Sequence, residues 1–143
     1  MVRWFQFGAF CPLFSLHGYR EPRPEIGWDA TGGPNEVWSY GEDAFQMIKA
    51  VMLMRERLRP YLHEQLDRAS EEGVPAMRPL FVEFPEDETA WTVEDQMMFG
   101  PDVLVAPVLE AGARRRQVYL LLACGRALDT RLERAHVRRR ACP

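Results

Sequence analysis

Residues 42–72 place the strongest condition on how this chain can fold. Ala44, Phe45, Ile48, Val51, Met52, Leu58, Leu62, Leu66 and Ala69 recur at helical spacing. Glu42 and Asp43 open the stretch, where negative charge suits the positive end of the helix dipole, and Gly73 ends it. Pro60 lies inside the pattern. Its ring lacks an N–H and crowds the preceding turn, which predicts a kink or a division near Arg59. An amphipathic helix of this length is not held by its own backbone bonds alone. The rest of the chain must therefore offer a sheet or another helix to cover its apolar side.

The flanking segments supply candidates. VRWFQFG at residues 2–8 reads as the last turns of a helix with Gly8 near its stop. AFCPLFSL at 9–16 is a short continuous apolar run, the pattern of a strand buried on both faces, and it delivers His17-Gly18 to the strand end. Residues 19–40 hold Pro22, Pro24, Gly27, Gly32, Gly33 and Pro34, which is the chemistry of a long loop. Past the helical stretch, 75–84 reads as a short strand, 85–94 as an acidic connection and 96–109 as strands turned at Gly100-Pro101-Asp102. Residues 114–120 could add one more strand. Strand, loop, helix, strand and then strands alone suggest an α/β barrel closing and passing into an antiparallel domain.

Composition limits the functional classes. An apolar fraction of 47% with 11% aromatics is that of a globular protein. No run of about 18 apolar residues occurs, so a membrane partner is not expected, and the N-terminus lacks the signal-peptide pattern. Cys11, Cys124 and Cys142 have neither an even count nor metal-ligand spacing, which points to a reducing, cytoplasmic setting without disulfides or zinc. Charge divides the chain. Residues 1–113 hold 9 basic against 19 acidic side chains, whereas 114–143 hold 9 arginines against Asp129 and Glu133. Lysine occurs once and arginine seventeen times, a bias that suggests a GC-rich gene.

Four stretches resemble glycoside hydrolase family 31, the α-glucosidases and α-xylosidases. They are RWFQFGAFCPLFSLHG at Arg3–Gly18, RERLRPYL at Arg55–Leu62, GVPAMRPLFVEFP at Gly73–Pro85 and DQMMFGPDVLVAPV at Asp95–Val108. The resemblance covers residues 2–119 and implies a fold: the closing strands and helix of a (β/α)8 TIM barrel over 1–86, then the start of an antiparallel β-sandwich domain over 87–119. It implies retaining hydrolysis of terminal α-linked glucosides or xylosides, without cofactor or metal. Such chemistry needs two carboxyl groups about 5–5.5 Å apart, one as nucleophile and one as acid/base. In the family these aspartates belong to earlier barrel strands, upstream of this chain. The isolated chain is therefore expected to be a fragment without hydrolytic turnover.

One pocket residue carries over from the resemblance. His17 is the family's substrate-binding histidine, whose imidazole can donate from one nitrogen and accept at the other against sugar hydroxyls. Two residues earlier the family usually has an arginine that helps hold the catalytic carboxylates; here that position is Ser15. Loss of the cation should raise carboxylate pKa values in such a pocket. After Tyr119 the family pattern stops, and the arginine-rich text of 120–143 reads as a shifted frame in preference to an evolved basic tail.

The remaining polar residues have simpler readings. Glu42-Asp43, Glu71-Glu72 and Glu86–Glu88 read as helix-end and loop charge, so no self-contained hydrolase is expected. His63 and His136 read as ordinary helix and tail residues. Trp28 and Trp38 suit sugar stacking or loop packing equally, Trp4 suits packing, and Met47, Met52, Met54, Met97 and Met98 suit core filling. The competing class is a non-catalytic interaction protein whose basic tail contacts nucleic acid or an acidic partner, with nucleic acid the less expected of the two. Oligomeric state has no sequence signal.

Overall fold

A computed structural model describes residues 1–21 and 32–120, and the tail text, His136 and Trp28 lie outside them. The chain divides into two compact units, Met1–Val74 and Pro75–Pro143.

The first unit is helical. Helix α1, Val2–Gly8, is capped by bonds from the Ala9 amide and packs against α2, Glu42–Arg57. Helix α3, Arg59–Glu72, follows after the single residue Leu58, so the expected division is where Pro60 predicts it. The Leu58 amide still donates to Met54 and Arg55, and Leu62 donates to the Leu58 carbonyl. The two helices thus meet with one residue out of line. Gly73 closes α3 at φ 74°, a left-handed conformation that a side chain resists. Phe5, Ala9, Ile48 and Leu62 form the buried apolar set of this unit, joined by the buried polar side chains of Arg55 and Gln65.

The second unit is a small antiparallel sheet with a helical turn against it. Strands β1 (Met77–Arg78), β2 (Met97–Phe99) and β3 (Val103–Val105) pair in that order. Met77 faces Phe99 across β1 and β2, and Phe99 faces Val103 across the turn at Gly100-Pro101-Asp102. Helix α4, Leu80–Glu83, contributes Leu80 to a core with Ala90 and Met98. Phe81 stacks on Trp91 with ring centroids 4.5 Å apart and planes 12° from parallel. Such a pair adds about 0.5–1.5 kcal/mol beyond the area it buries.

Three expected strands differ from the structure. Residues 9–16 form no strand: a turn leads into an irregular course on which Pro12, Leu13, Ser15 and Leu16 are exposed. Burial on both faces requires neighbouring strands, and none pairs with this segment among the described residues. The segment at 75–84 is strand for only two residues, then turns helical at Leu80 with Pro79 as the preceding extended residue. Residues 114–120 join no ladder. Instead the Gln96 side chain donates to the Tyr119 carbonyl at 2.9 Å and accepts from the Tyr119 amide at 2.6 Å. A side-chain amide thus makes both bonds that a paired backbone residue would make. Met98 is in the core as expected, but Met47 and Met52 are exposed on α2.

Candidate functional site

The segment that carries His17 is held from one end. Arg55, buried on α2, donates from Nη1 to the Ala9 carbonyl at 2.6 Å and from Nη2 to the Pro12 carbonyl at 3.3 Å. Its guanidinium lies 5.9 Å from the Phe14 ring centroid, and Phe14 meets Phe5 edge to face at 5.4 Å. A planar fork can join two carbonyls in this way; a lysine could not hold both with the same geometry. Burial pushes the Arg55 guanidinium below its usual range, opposed by Cys11 and Glu56. Cys11 lies on the same stretch and donates from Sγ to the Phe7 carbonyl at 3.7 Å. Burial raises its thiol pKa, and Arg55 opposes that rise.

Beyond Phe14 the chain runs out into solvent. Ser15, Leu16, His17 and Gly18 are all exposed, with Leu16 37% accessible. The imidazole of His17 is therefore presented at a surface.

Two residues past Gly18 the loop is drawn together at its base. The Gly33 amide donates to the Arg20 carbonyl at 2.6 Å. Arg20 Nη1 donates to the Pro34 carbonyl at 2.7 Å and to Ser39 Oγ at 2.9 Å, with its guanidinium 4.3 Å over the Tyr40 ring. Tyr40 in turn donates to Asn35. The approach is too close for side chains: a Cβ on Gly32 would lie 2.4 Å from the Arg20 carbonyl oxygen, and one on Gly33 2.4 Å from that of Glu21. The loop pattern of glycines and prolines was legible in the sequence; the Arg20 clasp that closes it was not, because nothing local marks an arginine for carbonyls fourteen residues away.

Six of the described carboxylates have structural partners. Glu42 accepts from Gln46, Glu56 pairs with Arg59 and Glu72 with Arg68. Asp87 accepts from the Thr89 amide at 2.9 Å, capping a short 3-10 turn at Glu88–Trp91, and from the Tyr119 hydroxyl at 2.7 Å. Glu83 pairs with the buried Arg78, and Asp95 with Arg116 at 2.5 Å. These carboxylates therefore secure local structure. Among the described residues no cluster of His, Cys, Asp and Glu could hold a metal ion, and no helix is long and apolar enough to cross a membrane. Trp38 and Trp4 are both exposed, Trp4 lying 5.8 Å from Phe7. His63 is exposed on α3, beside a cleft lined by Pro12, Phe14 and Arg59.

Comparison with known proteins accounts for both units. The profile of the glycosyl hydrolases family 31 TIM-barrel domain matches residues 1–65, and that of the family 31 C-terminal domain matches residues 73–123. Neutral alpha-glucosidase AB of Mus musculus is 36% identical over 120 residues, which take in 84% of this chain and 12% of that protein. Lysosomal alpha-glucosidase of Mus musculus is 39% identical over 111 residues, 78% of this chain and 11% of that protein. Among solved structures, a family 31 alpha-xylosidase from a soil metagenome, complexed with xylose, superposes with a TM-score of 0.77 at 51% identity. That match covers 86% of this chain and 19% of the xylosidase. A dextranase of Flavobacterium johnsoniae complexed with glucose gives a TM-score of 0.71 at 35% identity, over 83% of this chain and 13% of the dextranase.

These matches define a glycoside hydrolase family, of whose curated members the chain spans about an eighth of the length. The chain belongs to glycosyl hydrolase family 31, with a part of the TIM-barrel domain followed by a part of the C-terminal domain.

Proposed function

We propose that the chain is the closing portion of a retaining α-glycosidase, joined to the start of an antiparallel β-sandwich, and that it lines the sugar site without performing the bond cleavage. The observation that carries this reading is the 51% identity to a xylosidase complexed with xylose, which favours an α-xyloside over an α-glucoside as the substrate. His17 is the sugar contact. Its ring is exposed at the end of a segment secured by Arg55, so it can give one hydrogen bond and receive another from neighbouring hydroxyls. Nucleophile and acid/base are assigned to other strands of the barrel, since the carboxylates described above are engaged in caps and ion pairs. A cytoplasmic setting completes the proposal, in keeping with the free Cys11 thiol.

Two measurements test it. Purified chain should release no nitrophenol from nitrophenyl α-xyloside or α-glucoside, and measurable turnover would overturn the reading. Residues 1–120 can also be grafted into the soil-metagenome xylosidase in place of its matching part. The graft should be weakly active with Ser15 and recover with Ser15→Arg. His17→Ala in the recovered graft should then lower kcat/KM by roughly 10–100-fold, the cost of one or two lost sugar hydrogen bonds. An unchanged kcat/KM would remove His17 from the site.

A further inference from the structure

His17 stands between two arginine anchors. Arg55 fixes the chain ahead of it, through the Ala9 and Pro12 carbonyls. Among the described residues no hydrogen bond then reaches Ser15, Leu16, His17 or Gly18. Each of these residues adds its own φ and ψ freedom, so the Arg55 anchor alone does not settle where the imidazole lies.

The chain is caught again at Arg20. Its carbonyl accepts from the Gly33 amide at 2.6 Å, and its Nη1 donates to the Pro34 carbonyl at 2.7 Å and to Ser39 Oγ at 2.9 Å. The same guanidinium lies 4.3 Å over the Tyr40 ring. These partners are neutral, and Arg20 forms no ion pair among the described residues. The contact therefore depends on shape: a planar guanidinium sets its face on the ring and its edge on the two oxygens at once, whereas an ammonium occupies one of those places.

Both anchors lead to one helix. Ser39 and Tyr40 belong to the 3-10 turn Val37–Tyr40, which only Gly41 separates from the start of α2, and Arg55 stands in the last turn of α2. With 16 residues, α2 is a rod of about 24 Å. The free run that carries His17 is thus suspended from both ends of a single rigid element.

We infer that Arg20 is a positioning residue for His17: by tying the chain just past the histidine to the turn that opens α2, it fixes where the imidazole meets the sugar. The inference rests on the reading of His17 as the sugar contact and adds the residue that places it. A misplacement of about 1 Å can cost on the order of 10²-fold in rate, so the clasp matters on the same scale as the ring.

The recovered graft gives the first test. Arg20→Lys should lower kcat/KM by about 10-fold, and Ser39→Ala, a milder change, should lower it by less. In a graft that already carries His17→Ala, either substitution should cost under about 2-fold, because a residue that acts through His17 has nothing left to position. Equal losses in both backgrounds would overturn the inference in favour of general loop support, and so would no loss in either. The second test needs no turnover. In the full chain the 15N order parameter of the His17 amide should lie near the rigid value of about 0.85 and fall below about 0.6 with Arg20→Lys, while the Cys11 amide stays rigid. Circular dichroism of α2 and α3 checks that the fold survives, and where Arg20→Lys loses it Ser39→Ala takes its place. A His17 amide that is flexible in the parent chain, or rigid in the variant, would overturn the inference. A graft indifferent to His17→Ala would sink the sugar contact alone, since lost order at His17 in Arg20→Lys would still uphold Arg20 as the residue that holds it. A large loss on His17→Ala with none on Arg20→Lys would do the reverse.

Discussion

Arg78 is the residue whose surroundings are most demanding. Its side chain is 3% exposed, it donates from Nη1 to the Pro75 carbonyl at 2.8 Å, and it pairs with Glu83, which is 24% exposed. Breaking a buried ion pair from one side leaves the other charge uncompensated, at a cost of about 3–5 kcal/mol. Glu83→Gln should therefore speed amide exchange at Leu80–Phe84, and unchanged exchange would show that solvent replaces the carboxylate. Cys11 gives a pH test. Burial raises its folded-state pKa above the unfolded value, so the protonated thiol is favoured in the folded chain. The associated stability is present below the unfolded pKa and is lost as pH rises through the folded one. Alkylation of the Cys11 peptide, followed by mass spectrometry, should accelerate at higher pH in the folded chain than in the urea-unfolded chain. Neither residue stands out in the sequence: Arg78 sits in an apolar stretch without a local signal, and its partner arrives only because 80–83 turns helical.

At the scale of elements, the periodic and the punctuated parts were legible. Helices α2 and α3 follow from apolar spacing, and their division follows from Pro60, whose chemistry is local. The β2–β3 hairpin follows from Gly100-Pro101-Asp102 between β-forming runs. The failures have one cause in common. Residues 9–16 read as a strand from their apolar run and 114–120 as one more possible strand, but a strand is defined by what pairs with it, and that information lies outside the segment. The base of the loop makes a quantitative case. Gly73→Ala should cost about 1 kcal/mol, since the position is left-handed but spacious. Gly32→Ala meets the Arg20 carbonyl oxygen at 2.4 Å as well as a φ of 83°, so it should open the base altogether. Protease cleavage within residues 19–40 should quicken for Gly32→Ala and stay unchanged for Gly73→Ala.

At the scale of the whole molecule, the described residues build little apolar interior for their number. Leu13, Trp4, Tyr19, Trp38 and Leu53 in the first unit are each more than half exposed, and Leu109 and Trp91 in the second. Each such side chain left in water forgoes about 1.5–3 kcal/mol that burial would contribute. The isolated chain should accordingly unfold over a broad temperature range, and a sharp calorimetric transition of a monomer would contradict this. The pairing of Tyr119 with Gln96 bears on how such a molecule tolerates change. Ordinary strand pairing is indifferent to side-chain identity, because every amino acid except proline brings the same amide and carbonyl. At this seam the backbone of Tyr119 is read by one side chain, with the Tyr119 hydroxyl on Asp87 and Arg116 on Asp95 holding the same segment beside it. Drift at Gln96 alone can therefore remove both backbone bonds of Tyr119 while leaving the β2–β3 ladder intact.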